Sequence, residues 1–269
     1  MFPINPTAIL TDAHGVIYNE SGPILSAIHR LNIWIQSVPV WVVTNNTTAS
    51  PTQIATQLQH MGLAISSDAI ISSGHGLALD PTCHHLVRGE RVFTYGYPDS
   101  EWYVTHAGGV VTHEPDDATV MVIAASTNET NESMYAKVAR SLTQNPHRPV
   151  IAINPDHYVS AGDGRRIPVA GYYAAQLEAT LPISVRWMGK PMPAFSQVVR
   201  HVLNRQLGDL WGSNVYFFDD NPKNVLQLER DLGITGVGVR QTGLLHGYSD
   251  QRILQEYGVI PNHMVEVLQ

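Results

Sequence analysis

Charged and polar side chains follow four short runs of the sequence that are rich in apolar residues. In chain order, these side chains are Asp12, then Thr44 with Asn45, then Lys190, and last Asp219 with Asp220. A carboxylate that follows a strand can act as a nucleophile or as a metal ligand, but it can equally begin a turn. Whether chemistry is involved therefore depends on whether the four groups meet.

Taken together, the four groups form the set needed to transfer a phosphoryl group through a covalent intermediate. The carboxylate of Asp12 would attack phosphorus and form an aspartyl phosphate, which divides one difficult step into two. The Thr44 hydroxyl and a backbone N–H near Asn45 would donate hydrogen bonds to the phosphoryl oxygens. Lys190 would offset negative charge on the phosphate and on the nucleophile.

The carboxylates of this set predict a divalent cation. Asp12, Asp219 and Asp220 would repel one another in a common site unless a cation lay between them. Mg²⁺ suits such a site because it takes oxygen ligands and binds through one or two carboxylates together with substrate phosphate. Each group alone also has a structural explanation, as a turn, a solvated loop lysine or a helix cap, so it is their order and placement that favour chemistry.

The elements that must position these groups follow from the spacing of apolar residues. We predict strands near 8–10, 39–43, 70–71, 91–95, 120–124, 150–153, 184–188, 214–218 and 234–239. We predict helices near 24–36, 51–58, 132–142, 171–178, 194–206 and 222–231. This alternation is typical of a parallel α/β sheet, and the carboxyl ends of its strands would bring all four groups to one edge.

The content of the alternation changes in the middle of the chain, where glycine and proline interrupt it often. We therefore predict two domains. Residues 1–75 and 184–269 would form the catalytic core domain, and residues 76–183 would form a second α/β unit inserted into it.

Composition excludes several classes of function. The 269 residues are 43% hydrophobic and carry a formal net charge of −7, which argues against an electrostatic nucleic-acid surface. No apolar run approaches the roughly 18 residues of a membrane span, and no signal-peptide pattern is evident. The single cysteine, Cys83, permits no internal disulfide and fits a reducing compartment. We expect a cytoplasmic protein without membrane or nucleic-acid partners.

With these motifs in view, the sequence resembles the haloacid dehalogenase-like (HAD) superfamily, and within it the class IIA branch of NagD-like phosphatases. The four matching motifs are Asp12-Ala-His-Gly-Val, Thr44-Asn-Asn, Met188-Gly-Lys-Pro and Phe218-Asp-Asp-Asn. Ala152-Ile-Asn-Pro-Asp, with the glycine-containing loop at 162–164, is similar to the signature of the class IIA cap. The resemblance implies a Rossmann-like parallel-sheet core with an inserted α/β cap of the C2 type.

The resemblance also implies a role for each matching residue. Asp12 would be the nucleophile and a metal ligand, and His14 would offer its backbone carbonyl to the metal. Thr44 and Asn45 would bind phosphate, Lys190 would be an electrostatic clamp, and Asp220 with Asp219 beside it would complete the Mg²⁺ site. The cap residues Asn154 and Asp156 would help to select the substrate, or they would simply form a structural turn.

One position departs from the pattern of the family. Its phosphatases carry a second aspartate two residues after the nucleophile, as general acid and base, and this chain has His14 there. A histidine could do the same work near neutral pH, or it could leave a slow enzyme or a domain that only binds phosphate esters. Haloacid dehalogenases have an aromatic residue here, but they need no metal, and Asp219-Asp220 keeps a metal site.

We accordingly expect a Mg²⁺-dependent phosphatase of small phosphate monoesters, such as sugar or nucleotide phosphates. The alternatives are an impaired phosphate-ester-binding or regulatory domain, and a haloacid dehalogenase. The partner would be a small phosphorylated metabolite, and the resemblance implies a homodimer as one assembly to test.

Overall fold

The computed structural model describes residues 5–124, 131–160, 165–208, 212 and 214–269. Its strands are β1 (Ala8–Thr11), β2 (Tyr18–Asn19), β3 (Gly22–Pro23), β4 (Val40–Thr44), β5 (Ile70–Ser72), β6 (Arg91–Tyr95), β7 (Val110–Thr112), β8 (Val120–Ile123), β9 (Val150–Ala152), β10 (Tyr158–Ser160), β11 (Arg166–Pro168), β12 (Val185–Trp187), β13 (Val215–Asp219), β14 (Thr235–Val239) and β15 (His263–Val265). Its α-helices are α1 (Leu25–Ile35), α2 (Pro51–His60), α3 (Gly76–Leu79), α4 (Pro81–Val87), α5 (Glu101–His106), α6 (Asn131–Gln144), α7 (Ala170–Thr180), α8 (Pro193–Leu207), α9 (Pro222–Leu232) and α10 (Asp250–Tyr257). Within the described ranges, every helix is too short or too polar to cross a bilayer.

The chain divides into two compact units. Unit 1 consists of Met1–Thr44, Pro51–Ile71 and Val199–Gln269, and unit 2 consists of Asn45–Ser50 and Ser72–Val198. Packing therefore places the boundaries after residues 71 and 198, whereas the sequence suggested 75 and 183. The division into a catalytic core and a cap remains a prediction about function.

Unit 1 is built on a parallel sheet with the strand order β15-β14-β13-β1-β4-β5. Strand β1 is central, and its residue Ile9 is in register with Tyr216 of β13 and Val40 of β4. All residues of β1 and β4 are buried. Their uninterrupted apolar runs are typical of strands that are covered on both faces of a sheet. Helix α1 packs against this sheet, with the Trp34 ring stacked on Phe218 at 5.7 Å between centroids.

Helix α9, which follows β13, has a clear start and end. The Asn221 side chain accepts a hydrogen bond from the Lys223 N–H at 3.0 Å, and Pro222 occupies the first turn. The helix ends at Gly233, whose φ of +70° is the left-handed conformation that glycine adopts most easily. The Asn221 cap and Pro222 place the start of α9 directly after Asp219 and Asp220 in the chain.

Unit 2 has its own parallel sheet, with the strand order β12-β9-β8-β6-β7. The helices α6 and α7 contribute Val138, Leu142, Ala174 and Leu177 to its buried core. A small antiparallel hairpin, β10–β11, precedes α7. The parallel sheets of the two units confirm the predicted α/β class and the presence of an inserted α/β unit.

One expectation about the sheet is wrong. The strand before Lys190 is β12, and it pairs with β9 in the sheet of unit 2, with Val185 in register with Val150. Of the four strands that precede these groups, β1, β4 and β13 belong to the sheet of unit 1 and β12 does not, so the four groups do not stand at the edge of a single sheet. The run in β12 is short and partly apolar, and such a run does not encode which strand it joins.

The sequence also left several elements unpredicted, namely β7, β15, the hairpins β2–β3 and β10–β11, and the helices α3, α4, α5 and α10. These elements are short, and short elements give weak periodic signals. The glycine-containing loop at 162–164 lies outside the described residues.

Candidate active site

Three carboxylates meet at the carboxyl ends of β1 and β13 in unit 1. Asp12, Asp219 and Asp220 each offer an oxygen, and these oxygens all lie within 4.8 Å of one another. The two residues on β13 and just after it are buried, with Asp219 0% and Asp220 4% exposed. So much like charge in one buried place requires compensation, and a divalent cation is one group that would provide it.

Asp12 is fixed by the backbone of β13 and by the residue that follows it. Its N–H donates to the Phe218 carbonyl of β13 at 2.7 Å, which continues the parallel ladder one residue past β1. Its carboxylate oxygen Oδ1 accepts the Ala13 N–H at 2.7 Å. The adjacent strand on the other side, β4, ends at Thr44, which is 4% exposed. Asp12 and Thr44 therefore follow neighbouring strands at the same sheet edge, as predicted.

Asp219 is held by the start of α9. Its Oδ1 accepts the Asn221 N–H at 2.8 Å, and the Asn224 amide nitrogen lies 3.2 Å from both carboxylate oxygens. The Asn224 Oδ1 atom is buried and has no hydrogen-bond partner among the described residues. The buried Asp219 carboxylate thus accepts hydrogen bonds from the Asn221 backbone and the Asn224 side chain. Among the described residues, no partner is found for the nearby Asn224 Oδ1.

Asp220 is enclosed by backbone. Its Oδ2 accepts the Leu244 N–H at 2.7 Å. A Cβ atom built on Gly15 would lie 2.1 Å from that oxygen, and one built on Gly243 would lie 1.9 Å from it. Only glycine leaves space for the carboxylate at these two positions.

The acidic cluster fits Mg²⁺ by the kind of its donors and by this cradle. Hard carboxylate oxygens are the ligands that Mg²⁺ prefers, and the closely packed backbone holds them in place. Asp12, Asp219 and Asp220 are the residues that could hold it. That His14 would add its carbonyl as a ligand remains a prediction.

The His14 side chain lies at the surface of unit 1 beside the β2–β3 hairpin. Its imidazole is 46% exposed, with Nε2 3.7 Å from a Glu20 carboxylate oxygen and its ring edge-on to Tyr18 at 5.5 Å. Burial, and then the charge of Asp12, raise the pKa of Tyr18 to about 12, so its hydroxyl keeps its proton at neutral pH. Tyr18 can donate a hydrogen bond there but cannot act as a base.

The remaining predicted residues lie together in unit 2. Lys190 is 1% exposed, and its main-chain N–H and C=O are both bonded to the side chain of Asn45. The same amide of Asn45 donates to the carboxylate of Asp156. The Asn154 side chain accepts the Asp156 N–H at 2.9 Å, which closes the turn at 154–156.

The structure thus brings the predicted residues together in two groups, each inside one unit. Sequence reasoning missed the residues that shape the first group, namely Gly243, Leu244, Asn224, Tyr18 and Glu20. Gly243 and Leu244 lie in a loop whose sequence resembles any turn, so no local signal points to Asp220. Asn224 could have been identified from the sequence, because it lies in the first turn of α9, the helix that follows β13.

Comparison with known proteins finds a family model that matches part of the sequence. Residues 9–109 match the sequence model of a family described as haloacid dehalogenase-like hydrolase. No curated protein matches the sequence significantly.

The fold is shared with solved structures over nearly the whole chain. A p-nitrophenyl phosphatase from Archaeoglobus fulgidus has 23% identity and a TM-score of 0.81, with 98% of this chain and 97% of that chain covered. A possible sugar phosphatase of the HAD superfamily from Cytophaga hutchinsonii has 20% identity and a TM-score of 0.82, with 98% and 94% covered. A glycerol phosphate phosphatase from Mycobacterium tuberculosis in complex with calcium has 20% identity and a TM-score of 0.76, with 98% and 74% covered.

At these identities the solved structures establish the fold, and residues 9–109 establish the sequence likeness. The chain therefore shares its fold with these solved structures over 98% of its length, and its residues 9–109 are similar to haloacid dehalogenase-like hydrolases, the group that its motifs resemble.

Proposed function

We propose that the chain is a Mg²⁺-dependent phosphatase that hydrolyses small phosphate monoesters through an aspartyl-phosphate intermediate. The observation that carries this proposal is the convergence of Asp12, Asp219 and Asp220 at the end of the central strand β1. A structural turn would not need three carboxylates within 4.8 Å, two of them buried. The match of residues 9–109 to a hydrolase family and the phosphatase fold support the same conclusion.

In the proposed reaction, Asp12 is the nucleophile. Its carboxylate attacks phosphorus, an Asp12–phosphate bond forms, and the ester oxygen leaves with a proton. Water then attacks phosphorus, the bond between phosphorus and the Asp12 oxygen breaks, inorganic phosphate leaves and the carboxylate is restored. The Ala13 N–H holds Oδ1, so the rotation of the attacking group is set before substrate arrives.

The other residues stabilise charge. Thr44 and the backbone at Asn45 would donate to the phosphoryl oxygens, and Lys190 would meet their negative charge. Asp219 and Asp220 would hold the cation together with Asp12. When bound, the cation neutralises charge on the phosphoryl oxygens and on the cluster.

His14 would take the place of the aspartate that protonates the leaving oxygen and activates water in related phosphatases. The His14 imidazole is exposed beside Glu20 and Tyr18, and this exposure supports a role in which it exchanges protons with solvent. Such acid and base help is typically worth roughly 10²–10⁴ in rate, so an imperfect substitute would make the enzyme slow rather than inactive.

The remaining features of the proposal concern substrate and setting. Sugar and nucleotide monophosphates are the proposed substrates, with Asn154 and Asp156 as the predicted cap contacts. A cytoplasmic location is proposed because the sequence has one cysteine, Cys83, which is free and buried. A homodimer without nucleic-acid or membrane partners is proposed as the assembly, and light scattering of the purified chain tests it.

The deciding experiment measures phosphate release from p-nitrophenyl phosphate and a panel of sugar and nucleotide monophosphates, with Mg²⁺ or with EDTA. We expect turnover only with Mg²⁺, and a loss of about 10³-fold or more in Asp12→Asn. Asp116→Asn is the control, because Asp116 is an exposed carboxylate that pairs with Arg140, and its turnover should equal that of the wild type. Equal turnover by Asp12→Asn would refute the mechanism.

The same preparation separates the alternatives. Binding of phosphate esters without metal-dependent turnover would favour the binding domain. Halide release from 2-haloacids in EDTA would favour a dehalogenase.

A variant at His14 tests its proposed role directly. His14→Asp restores the usual carboxylate, and we expect it to raise kcat on p-nitrophenyl phosphate by up to about 10²-fold. His14→Asn, which cannot exchange a proton, should lower kcat below that of the wild type. An unchanged or lower kcat in His14→Asp would contradict the view that His14 is a compromised acid and base.

A further inference from the structure

The side chain of Asn45 has partners that its position in a phosphate-binding motif does not predict. It is 6% exposed, and its Oδ1 accepts the Lys190 N–H at 2.8 Å. Its Nδ2 donates to the Lys190 carbonyl at 2.9 Å and lies 3.1 and 3.2 Å from the two carboxylate oxygens of Asp156. The Oδ1 and Nδ2 atoms of the Asn45 amide therefore both bind the main chain of Lys190. The carboxylate of Asp156 accepts from the same Nδ2 atom.

The backbone before Lys190 is pressed against the same groups. Gly189 has a φ of +108°, a conformation that other residues rarely adopt. A Cβ atom at Gly189 would lie 2.8 Å from the Asn45 Oδ1 and 2.5 Å from the Pro155 side chain. The turn that presents Lys190 is thus fitted between Asn45 and the turn at 154–156.

Asp156 is itself held in position. Its N–H donates to the Asn154 Oδ1 at 2.9 Å, and its carbonyl accepts the Gly171 N–H of α7 at 2.9 Å. A Cβ atom at Gly171 would lie 2.3 Å from the Pro155 carbonyl oxygen, so the helix and the turn are in close contact. The carboxylate that faces Asn45 therefore comes from a rigid part of unit 2.

The segment that carries Asn45 is also anchored. The Ser72 hydroxyl donates to the Asn46 carbonyl at 2.6 Å, and the Ser100 hydroxyl donates to the Thr47 carbonyl at 2.7 Å. The Thr47 hydroxyl donates to the Ala124 carbonyl. These bonds tie Asn45–Ser50 to unit 2, which also contains the turn that presents Lys190.

We propose that Asn45 and Asp156 are positioning residues for Lys190, with Asp156 orienting the Asn45 amide and the amide fixing the main chain of Lys190. This inference rests on the proposed function, because it assumes that Lys190 meets a phosphate. It assigns to Asp156 a role other than contact with the leaving group of the substrate. A hydrogen bond from an amide to an ionised carboxylate is stronger than one between neutral groups, so the carboxylate is suited to the task.

The test is a double-mutant cycle between Asp156→Ala and Lys190→Ala, read as kcat/KM on p-nitrophenyl phosphate and on a sugar phosphate. We expect Asp156→Ala to lower kcat/KM by about 10²-fold, and by the same factor on both substrates, because a misplaced Lys190 affects the common phosphate. Within Lys190→Ala, the added Asp156→Ala should cost less than about twofold. Asp156→Asn keeps an acceptor oxygen for the Asn45 amide and should recover most of the loss.

A control separates positioning from general destabilisation. Asp80 is a buried carboxylate of unit 2, and it accepts the Cys83 N–H at 2.9 Å and pairs with Arg186 at 2.8 Å. Asp80→Ala should lower the melting temperature while leaving kcat/KM unchanged. A loss that depends on the leaving group would overturn the inference in favour of substrate contact. An undiminished loss in the Lys190→Ala background would overturn it too.

Calorimetry with inorganic phosphate distinguishes a failure of this inference from a failure of the proposed function. If the wild type releases no phosphate from any ester, the proposed function fails. Weaker phosphate binding by Asp156→Ala, seen only where Lys190 is present, would still support the positioning role. Phosphate affinity that is insensitive to Asp156→Ala would overturn it, and so would a wild type that binds no phosphate.

Discussion

One oxygen of the Asp220 carboxylate is closely surrounded by backbone. Leu244 donates its N–H to Oδ2, and the backbones of Gly15 and Gly243 approach the same oxygen more closely than any Cβ atom would allow. A methyl group at either glycine would displace the carboxylate or the loop. The position of the acidic cluster thus depends on two residues that have no side chain at all.

We expect Gly243→Ala to lower Mg²⁺-dependent turnover by about 10²-fold or more, because it displaces Asp220 from the cluster. Gly212→Ala is the matched control, since a Cβ atom there meets nothing within 4 Å. Titration calorimetry with Mg²⁺ and initial rates of phosphate release measure the two effects. Wild-type metal affinity in Gly243→Ala would show that the cradle is not required.

At the scale of elements, β5 runs into a short 3₁₀ turn, Ser73–His75, that contains a half-buried imidazole. The His75 Nδ1 accepts the Ser72 N–H at 3.1 Å, while the Ser72 hydroxyl accepts the Gly74 N–H at 3.3 Å. The ring is in edge contact with Tyr103 of α5. Burial, the largest cause, lowers the pKa of His75 to about 4, so the turn is built around a neutral histidine.

This shift predicts a loss of stability in acid. The folded pKa lies below the ordinary value of 6.5, so protons favour the unfolded chain. The contribution is complete above pH 6.5, is lost progressively as the pH falls towards 4, and amounts to about 3 kcal/mol. His75→Asn keeps an acceptor for the Ser72 N–H but cannot titrate, so its unfolding free energy should fall less between pH 6.5 and 4.

Urea unfolding at several pH values measures this difference. Among the described residues, Tyr103 and the exposed His106 are titratable groups in ring contact with His75, and besides burial the charge of His106 lowers the pKa of His75. His106→Gln serves as the control and should keep most of the acid dependence. Identical pH profiles for His75→Asn and the wild type would contradict the assignment.

Elements also mark the limit of what the sequence predicts. Strands β1, β4 and β13 were predictable because burial on both faces demands a continuous apolar run. The pairing of β12 with β9 was not, because a three-residue strand carries no information about its neighbour. The partners of the Asn45 amide were hidden for a related reason, since Lys190 is 145 residues away and such contacts leave no local pattern.

At the scale of the whole molecule, the acidic cluster adds to an already negative chain. The net charge is −7, and three of its carboxylates stand within 4.8 Å of one another. Their repulsion destabilises the folded chain and is absent from the extended one. A cation bound only by the folded chain reverses this penalty.

We therefore expect Mg²⁺ at about 100 times its dissociation constant to add about 2.7 kcal/mol and to raise the melting temperature by roughly 5–10 °C over EDTA. In Asp220→Asn, one charge of the cluster is removed. Its melting temperature in EDTA should equal or exceed that of the wild type, while its gain from Mg²⁺ should be smaller. Differential scanning calorimetry measures both, and an equal gain in both proteins would argue against a metal at this cluster.

The closure around Asp220 has a consequence for the order of events during synthesis. The Thr242 hydroxyl donates to the Gly15 carbonyl at 2.6 Å across 227 residues, and the Asn19 amide donates to the Thr242 carbonyl at 3.0 Å across 223. Loops of this length close late, because bringing their distant ends together costs conformational entropy before the contacts form. A nascent chain on the ribosome cannot complete the cradle until Leu244 has emerged, so the proposed hydrolytic competence would have to wait for that residue.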